Sequence, residues 1–269
     1  MKEESAMNKN IIIEKLEDIA VISLNRPEKR NALNAAILNE LAAAMDEIAE
    51  NQRIRGIILT GNGSAFCAGA DLAYLKEISQ FGEEENVRDS RLLADIFYKL
   101  YSLPKITFAM VNGPALAGGC GLALCCDYIF AEQESARFGF TEARIGFIPA
   151  IVMNFLIRRV SPSIAYHLAV SAQLINARDA LQTGLVDLIF PERDLRNKTL
   201  SFVGNLLEQN SFEAMIQTKK LFQQLLDLPL KEGLEIASRL NARSRQSADC
   251  QKGLKQFLNK TTINWRSES

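Results

Sequence analysis

The chain of 269 residues holds one histidine, His167, and one tryptophan, Trp265. A lone histidine excludes metal centres built on several imidazoles and leaves a Ser-His-Asp triad only this one base. Its helical context, Ala165-Tyr166-His167-Leu168-Ala169, reads as surface or packing. The five cysteines (Cys67, Cys120, Cys125, Cys126, Cys250) are an odd number and form no C-x-x-C pair. Cys125 and Cys126 are adjacent, which suits neither a disulfide framework nor a zinc site, so reduced and mostly buried thiols are expected. No uninterrupted apolar run approaches the roughly 18 residues of a membrane span. A formal net charge of -1 excludes a broad nucleic-acid-binding face. Neither G-x-x-x-x-G-K-[ST] nor G-x-G-x-x-G occurs, which removes nucleotide-phosphate readings based on them. The acidic start Met1-Lys2-Glu3-Glu4-Ser5 leads into no apolar h-region and is poor in arginine. Neither a signal peptide nor a transit peptide is expected, and the protein reads as soluble and cytoplasmic.

What is present is ordinary globular material, 48% hydrophobic and 23% charged. That length buries a substantial core, as one large domain or a main domain with a smaller one. Residues 11–25 are β-branched on both sides of Glu17-Asp18 and predict a hairpin. Apolar positions at helical spacing (Ile37, Leu38, Leu41, Met45, Ile48) predict a helix over 35–50. Strands are expected at 55–60 and 106–111, short strands at 127–131 and 136–138, and a helix over about 118–126. From about residue 151 helical patterns dominate, punctuated by Pro162, Pro191 and Pro229. The coarse plan is a β/α core over 1–200 and a helical region over 201–269.

Two glycine-bearing loops each follow an apolar strand and precede a helix. The first is Gly61-Asn62-Gly63-Ser64-Ala65-Phe66-Cys67-Ala68-Gly69-Ala70-Asp71-Leu72. The second is Val111-Asn112-Gly113-Pro114-Ala115-Leu116-Ala117-Gly118-Gly119-Cys120-Gly121. Glycine allows close backbone approach, and a helix start leaves N–H groups without partners. Facing one cleft, two such loops hold an oxygen that becomes negative during reaction. Taken singly, each is equally a tight turn that needs positive φ.

These loops, with Leu24-Asn25-Arg26-Pro27-Glu28-Lys29-Arg30-Asn31-Ala32-Leu33-Asn34 and Phe138-Gly139-Phe140-Thr141-Glu142-Ala143-Arg144-Ile145-Gly146-Phe147-Ile148-Pro149, resemble the crotonase (enoyl-CoA hydratase/isomerase) superfamily. The likeness is collinear through Ala177–Asp187 and Gly253–Leu258. It implies an α/β fold, a spiral of ββα units with a helical C-terminal trimerisation region, in trimers or hexamers. It implies an acyl-CoA thioester substrate, with coenzyme A as part of that substrate and no metal or other cofactor. By position, the oxyanion donors are the N–H groups of Ala70 and Gly118, and Glu142 is the acid/base carboxylate. Lys29, Ala68, Asp71, Leu72 and Phe257 fall on the coenzyme A side.

One departure stands out. Family hydratases often carry a second glutamate three residues after the second oxyanion glycine, where this chain has Gly121. The i, i+3 spacing predicts that position 121 faces the site, so glycine there reads as space or close backbone approach; its alternative is packing against a neighbouring strand. Hydratase-like relatives of branched acyl-CoA, methylglutaconyl-CoA among them, share the glycine. The apolar run Ala150-Ile151-Val152-Met153-Asn154-Phe155 implies a bulky or branched acyl group. Hydration of a 2,3-enoyl-CoA is the first reading, Δ3,Δ2-isomerisation by the single glutamate the second, and a non-catalytic acyl-CoA-binding scaffold the third.

Overall fold

β-Branched residues flanking Glu17 form an antiparallel hairpin, β1 (Ile11–Leu16) and β2 (Ile19–Leu24), in register from Ile11↔Leu24 to Leu16↔Ile19. The computed structural model describes residues 9–267, so the acidic stretch at residues 1–5 lies outside the described residues. Helix α1 (Ala35–Glu50) starts at Asn34, whose side chain accepts from the Ile37 N–H, and buries Ile37, Leu38, Leu41, Ala44, Met45 and Ile48 as one stripe.

Strands β3 (Gly56–Gly61) and β4 (Ile106–Val111) are buried at every residue. Parallel strands covered on both faces read as unbroken apolar runs rather than alternation, which is how they appear in the sequence. Between them lie α2 (Leu72–Ile78) and α3 (Glu83–Ser102). After β4 come β5 (Ala115–Leu116), α4 (Gly118–Leu124), β6 (Tyr128–Glu132) and β7 (Arg137–Gly139). A 3-10 turn (Glu142–Ile145) leads to α5 (Ala150–Arg159), α6 (Pro162–Ser171), β8 (Ile175–Asn176), α7 (Ala177–Gln182) and β9 (Leu188–Phe190). Among the described residues the main sheet runs β1-β2-β3-β4-β6-β9, and β5-β7-β8 form a second, small sheet.

Helices do dominate beyond residue 151, but two short strands that the helical pattern did not predict, β8 and β9, also lie there. Strand β9 pairs with β6 from Phe130↔Leu188 to Glu132↔Phe190. Three residues are too few to show a period, and its pairing is set by Asp187: the N–H of Asp187 donates to the Ile129 carbonyl, and its carboxylate accepts from the Ile129 N–H at 2.7 Å. Arg159 holds the same carboxylate.

The described residues divide into two compact units, with the boundary between Thr199 and Leu200. Helix α8 (Glu192–Gln209) runs across the division. The second unit continues with α9 (Phe212–Leu225), α10 (Leu230–Ser244) and α11 (Ala248–Leu258). No helix among the described residues is long and apolar enough to cross a membrane. All five cysteines are free thiols, four of them buried. His167 is exposed on α6, its Nε2 at 2.9 Å from the Gln173 side chain.

Candidate active site

The first glycine loop is laid along residues 24–33 as along a template. The N–H of Asn62 donates to the Leu24 carbonyl, that of Ala68 to the Arg30 carbonyl, and that of Asp71 to the Leu33 carbonyl, while the Leu33 N–H donates to the Gly69 carbonyl at 2.7 Å. Leu33 and Ala70 thus form a parallel bridge in which Leu33 bonds to both neighbours of Ala70. That pattern turns the N–H of Ala70 away from Leu33. The Arg26 guanidinium closes the end of the template on the Asp71 carboxylate at 2.8 Å. This hydrogen bond holds the Asp71 carboxyl below the usual carboxylate range, and its other oxygen caps α2 through the Ala73 N–H.

The second loop packs on the first, backbone against backbone. The Cys67 N–H donates to the Pro114 carbonyl and the Leu116 N–H to the Cys67 carbonyl at 2.9 Å. A Cβ on Gly113 would overlap the Ser64 carbonyl group, and one on Gly119 would stand 2.9 Å from the Cys67 carbonyl carbon. These two glycines are required by the contact between the loops rather than by a ligand. A Cβ on Gly118 would stand 3.1 Å from Leu33 Cδ1, so the residue bridged to Ala70 also borders Gly118. Gly118 opens α4 behind Ala117, a non-glycine residue at φ +48°. No acceptor among the described residues meets the N–H of Ala70 or of Gly118. Ala70 is exposed and Gly118 half-buried.

The small sheet brings Glu142 beside the second loop. Strand β7 pairs with β5 (Ala115↔Phe138, Leu116↔Gly139), and the Ala117 N–H donates to the Gly139 carbonyl. Three residues on, Glu142 opens the 3-10 turn, 8% exposed. One of its carboxyl oxygens, Oε2, is buried with no hydrogen-bond partner. A buried carboxylate oxygen without a donor is uncommon in a folded chain and marks a group held for another purpose. Burial pushes the Glu142 carboxyl above its ordinary range. Burial likewise pushes the Cys67 thiol up to about 12, and the Cys120 thiol higher still, with the nearby charge of Glu142 adding to the rise at Cys120. These thiols stay protonated. The Cys120 Sγ lies 2.9 Å from the Ala115 carbonyl.

Position 121 is closed. A Cβ on Gly121 would overlap the edge of the Phe97 ring, 2.8 Å from its Cζ, and stand 3.0 Å from Val152 Cγ2. The glycine therefore leaves no space in the site. It receives the ring of Phe97 from α3, fully buried and edge-on to Phe155 at 5.9 Å. The neighbours are two helices, α3 and α5, not a strand. Val152 and Phe155 belong to the apolar run at 150–155, where they pack against Gly121 and Phe97.

Of the residues expected on the coenzyme A side, Lys29 is exposed in a 3-10 turn (Pro27–Lys29), Ala68 is half-buried and Leu72 is 82% exposed on the first turn of α2. The Asp71 carboxylate is already engaged by Arg26 and the cap. Phe257, 80% exposed, lies on α11 in the second unit. Sequence reasoning passed over Asn31, Arg26 and Phe97. Arg26 meets Asp71 and Asn31 meets Asn62 and Ala65, 31 to 45 residues away, and Phe97 meets Gly121 and Phe155, 24 and 58 residues away, beyond the reach of local spacing.

The arrangement as a whole has counterparts. A family model described as "Enoyl-CoA hydratase/isomerase" matches residues 14–268. A protein of Thermus thermophilus that carries a provisional enoyl-CoA hydratase name is 40% identical over 245 residues, 90% of this chain and 95% of its own length. The 2,3-dehydroadipyl-CoA hydratase of Escherichia coli is 33% identical over 95% of this chain and 98% of its own. Among solved structures, an enoyl-CoA hydratase of Mycobacterium smegmatis superposes with a TM-score of 0.89 at 27% identity, covering 95% of this chain and 98% of that one.

Proposed function

From the premise that the chain belongs to the enoyl-CoA hydratase/isomerase family, we propose that it adds water across the 2,3 double bond of an enoyl-CoA thioester. The observation that carries this reading is the buried, partnerless carboxyl oxygen of Glu142 beside two loops whose Ala70 and Gly118 N–H groups have no acceptor. The thioester oxygen lies between those two N–H groups. Glu142 takes a proton from water as the hydroxyl bonds to C3. The C2–C3 π pair moves to C1–C2, and the carbonyl oxygen becomes the enolate anion that the two N–H groups stabilise. Glu142 then returns the proton to C2, which restores the thioester and the carboxylate. One carboxyl serves as base and acid in turn, and burial suits it by raising its affinity for the proton it carries between steps. Each oxyanion donor of this kind is worth about 10²–10³ in rate.

Water addition is redox-neutral, and the enolate charge is met by the Ala70 and Gly118 N–H groups, so the reaction proposed calls on coenzyme A only as part of the substrate. Incubation with crotonyl-CoA and with branched enoyl-CoA esters tests the reading by product analysis. A 3-hydroxyacyl-CoA is expected. A relocated double bond without added oxygen would make the protein an isomerase, and no turnover of any ester would leave a scaffold.

The same reading includes a homotrimer or hexamer built through the second unit, which exposes Leu230 and Leu234 on α10 and Phe257 and Leu258 on α11. Exposed apolar groups in such number mark contact surfaces. Light scattering is expected to give about three or six times the chain mass of 29.9 kDa; a monomer would contradict it. Five free thiols fit the reducing cytoplasm.

A further inference from the structure

Asn31 has no exposed surface and sits at φ +57°, a left-handed conformation that few side chains tolerate and asparagine tolerates best after glycine. Its amide is fully used. Oδ1 accepts from the Arg26 N–H at 2.8 Å, and Nδ2 donates to the carbonyls of Asn62 at 2.9 Å and Ala65 at 2.8 Å. A Cβ on Gly61 would overlap the carbonyl oxygens of Ala65 and Phe66 and stand 2.7 Å from that same Nδ2, so the glycine leaves room for the turn and for the amide that holds it. One acceptor and two donors on a side chain this short, at positive φ, describe asparagine alone.

The consequence reaches the reacting end of the loop. Asn31 clamps both ends of the turn at 62–65. The backbone bonds from Ala68 to Arg30, and from Leu33 to Gly69 and Asp71, then fix the next six residues. The N–H of Ala70 meets no acceptor among the described residues, so its position is set by these anchors together with the Cys67 bonds to the second loop. We infer that Asn31 is the positioning residue of the Ala70 oxyanion donor, acting through the 62–65 turn and touching no substrate. The inference rests on the reaction proposed above and assigns a further residue to it. A donor displaced by about 1 Å loses on the order of 10²-fold in rate.

Two variants test it. Asn31→Asp keeps the shape, the left-handed tolerance and the acceptor for Arg26, but turns an oxygen toward the Asn62 and Ala65 carbonyls. Asn31→Gly relaxes the backbone and removes all three bonds. With crotonyl-CoA, kcat is expected to fall by about 10–100-fold in both, while KM and the Kd of saturated butyryl-CoA stay within about threefold of the wild type. The infrared carbonyl band of bound butyryl-CoA, lowered by an oxyanion hole, is expected to move back toward its value in water. Met45→Ala, a core truncation in α1, gives the comparison: lower thermal stability with that band unmoved. Unchanged kcat and band in folded Asn31 variants would overturn the inference, as would failure of both variants to fold, which would make the role structural only. Wild-type protein that hydrates nothing would instead remove the reaction, and the carbonyl band would still report on the loop.

Discussion

Replacing Glu142 by glutamine is expected to lower kcat for hydration by about 10²–10⁴-fold, the range for a general acid–base group, with the Kd of butyryl-CoA nearly unchanged. The glutamine keeps the shape and burial of the side chain and loses the carboxylate that takes up and returns the proton. Because burial holds the wild-type carboxyl above its ordinary 4.5, wild-type kcat/KM is expected to fall as pH drops through that raised value, where the base becomes protonated. The same burial has an opposite effect on folding. The folded state binds the Glu142 proton more tightly than the unfolded chain, so the group favours folding below about pH 4.5, and that support is lost as pH rises through the folded value. At pH 7 the Glu142→Gln protein is therefore expected to melt at a higher temperature than the wild type, the gap closing as pH falls toward 4.5. Thermal melts across pH and steady-state kinetics check both halves. A variant with normal turnover, or one less stable at pH 7 than at pH 4.5 relative to the wild type, would contradict the role of Glu142.

Placing a carboxylate at position 121 is expected to damage the protein rather than complete a two-glutamate site. In Gly121→Glu the new Cβ meets the Phe97 ring and Val152. Overpacking of this kind costs about 1–3 kcal/mol, and an uncompensated buried charge adds about 3 kcal/mol or more. At about 2–4 °C per kcal/mol for a chain of this size class, the melting temperature should drop by about 10–20 °C. Phe97→Ala in the same chain is expected to return part of the loss, with a coupling of about 1–3 kcal/mol between the two sites. The four proteins of that cycle, melted side by side, decide the matter. Unchanged stability with faster hydration in Gly121→Glu would show that position 121 opens to the substrate.

Sequence patterning made the frame legible where burial is regular. The stripe Ile37, Leu41, Met45, Ile48 and the unbroken runs of β3 and β4 announce their environments because one face or both faces are uniformly apolar. Strands β5, β8 and β9 were not legible. At two or three residues they carry no period, and they are held by groups elsewhere in the chain, as Asp187 holds β9 on Ile129. The catalytic candidates were legible chiefly through family resemblance. Physical reading saw two glycine loops and an anion cradle, and left their glycines open between close approach to a ligand, tight turns and, at Gly121, packing against a strand. Gly113 and Gly119 are instead glycines because the loops touch each other, and Gly121 is one because Phe97 fills its side. Asn31 was invisible for a like reason: two of its three bonds join it to a turn more than thirty residues away, which local spacing cannot pair with it.

The central claim is that a single carboxyl, Glu142, delivers water to a thioester held by Ala70 and Gly118. Single-turnover hydration of crotonyl-CoA in water enriched with oxygen-18, comparing the wild type with Glu142→Gln, tests it most directly. The claim predicts one labelled oxygen in the 3-hydroxybutyryl-CoA formed by the wild type, and a rate at least about 100-fold lower in the variant. Unlabelled product with a moved double bond, or equal labelling rates in the two proteins, would contradict it.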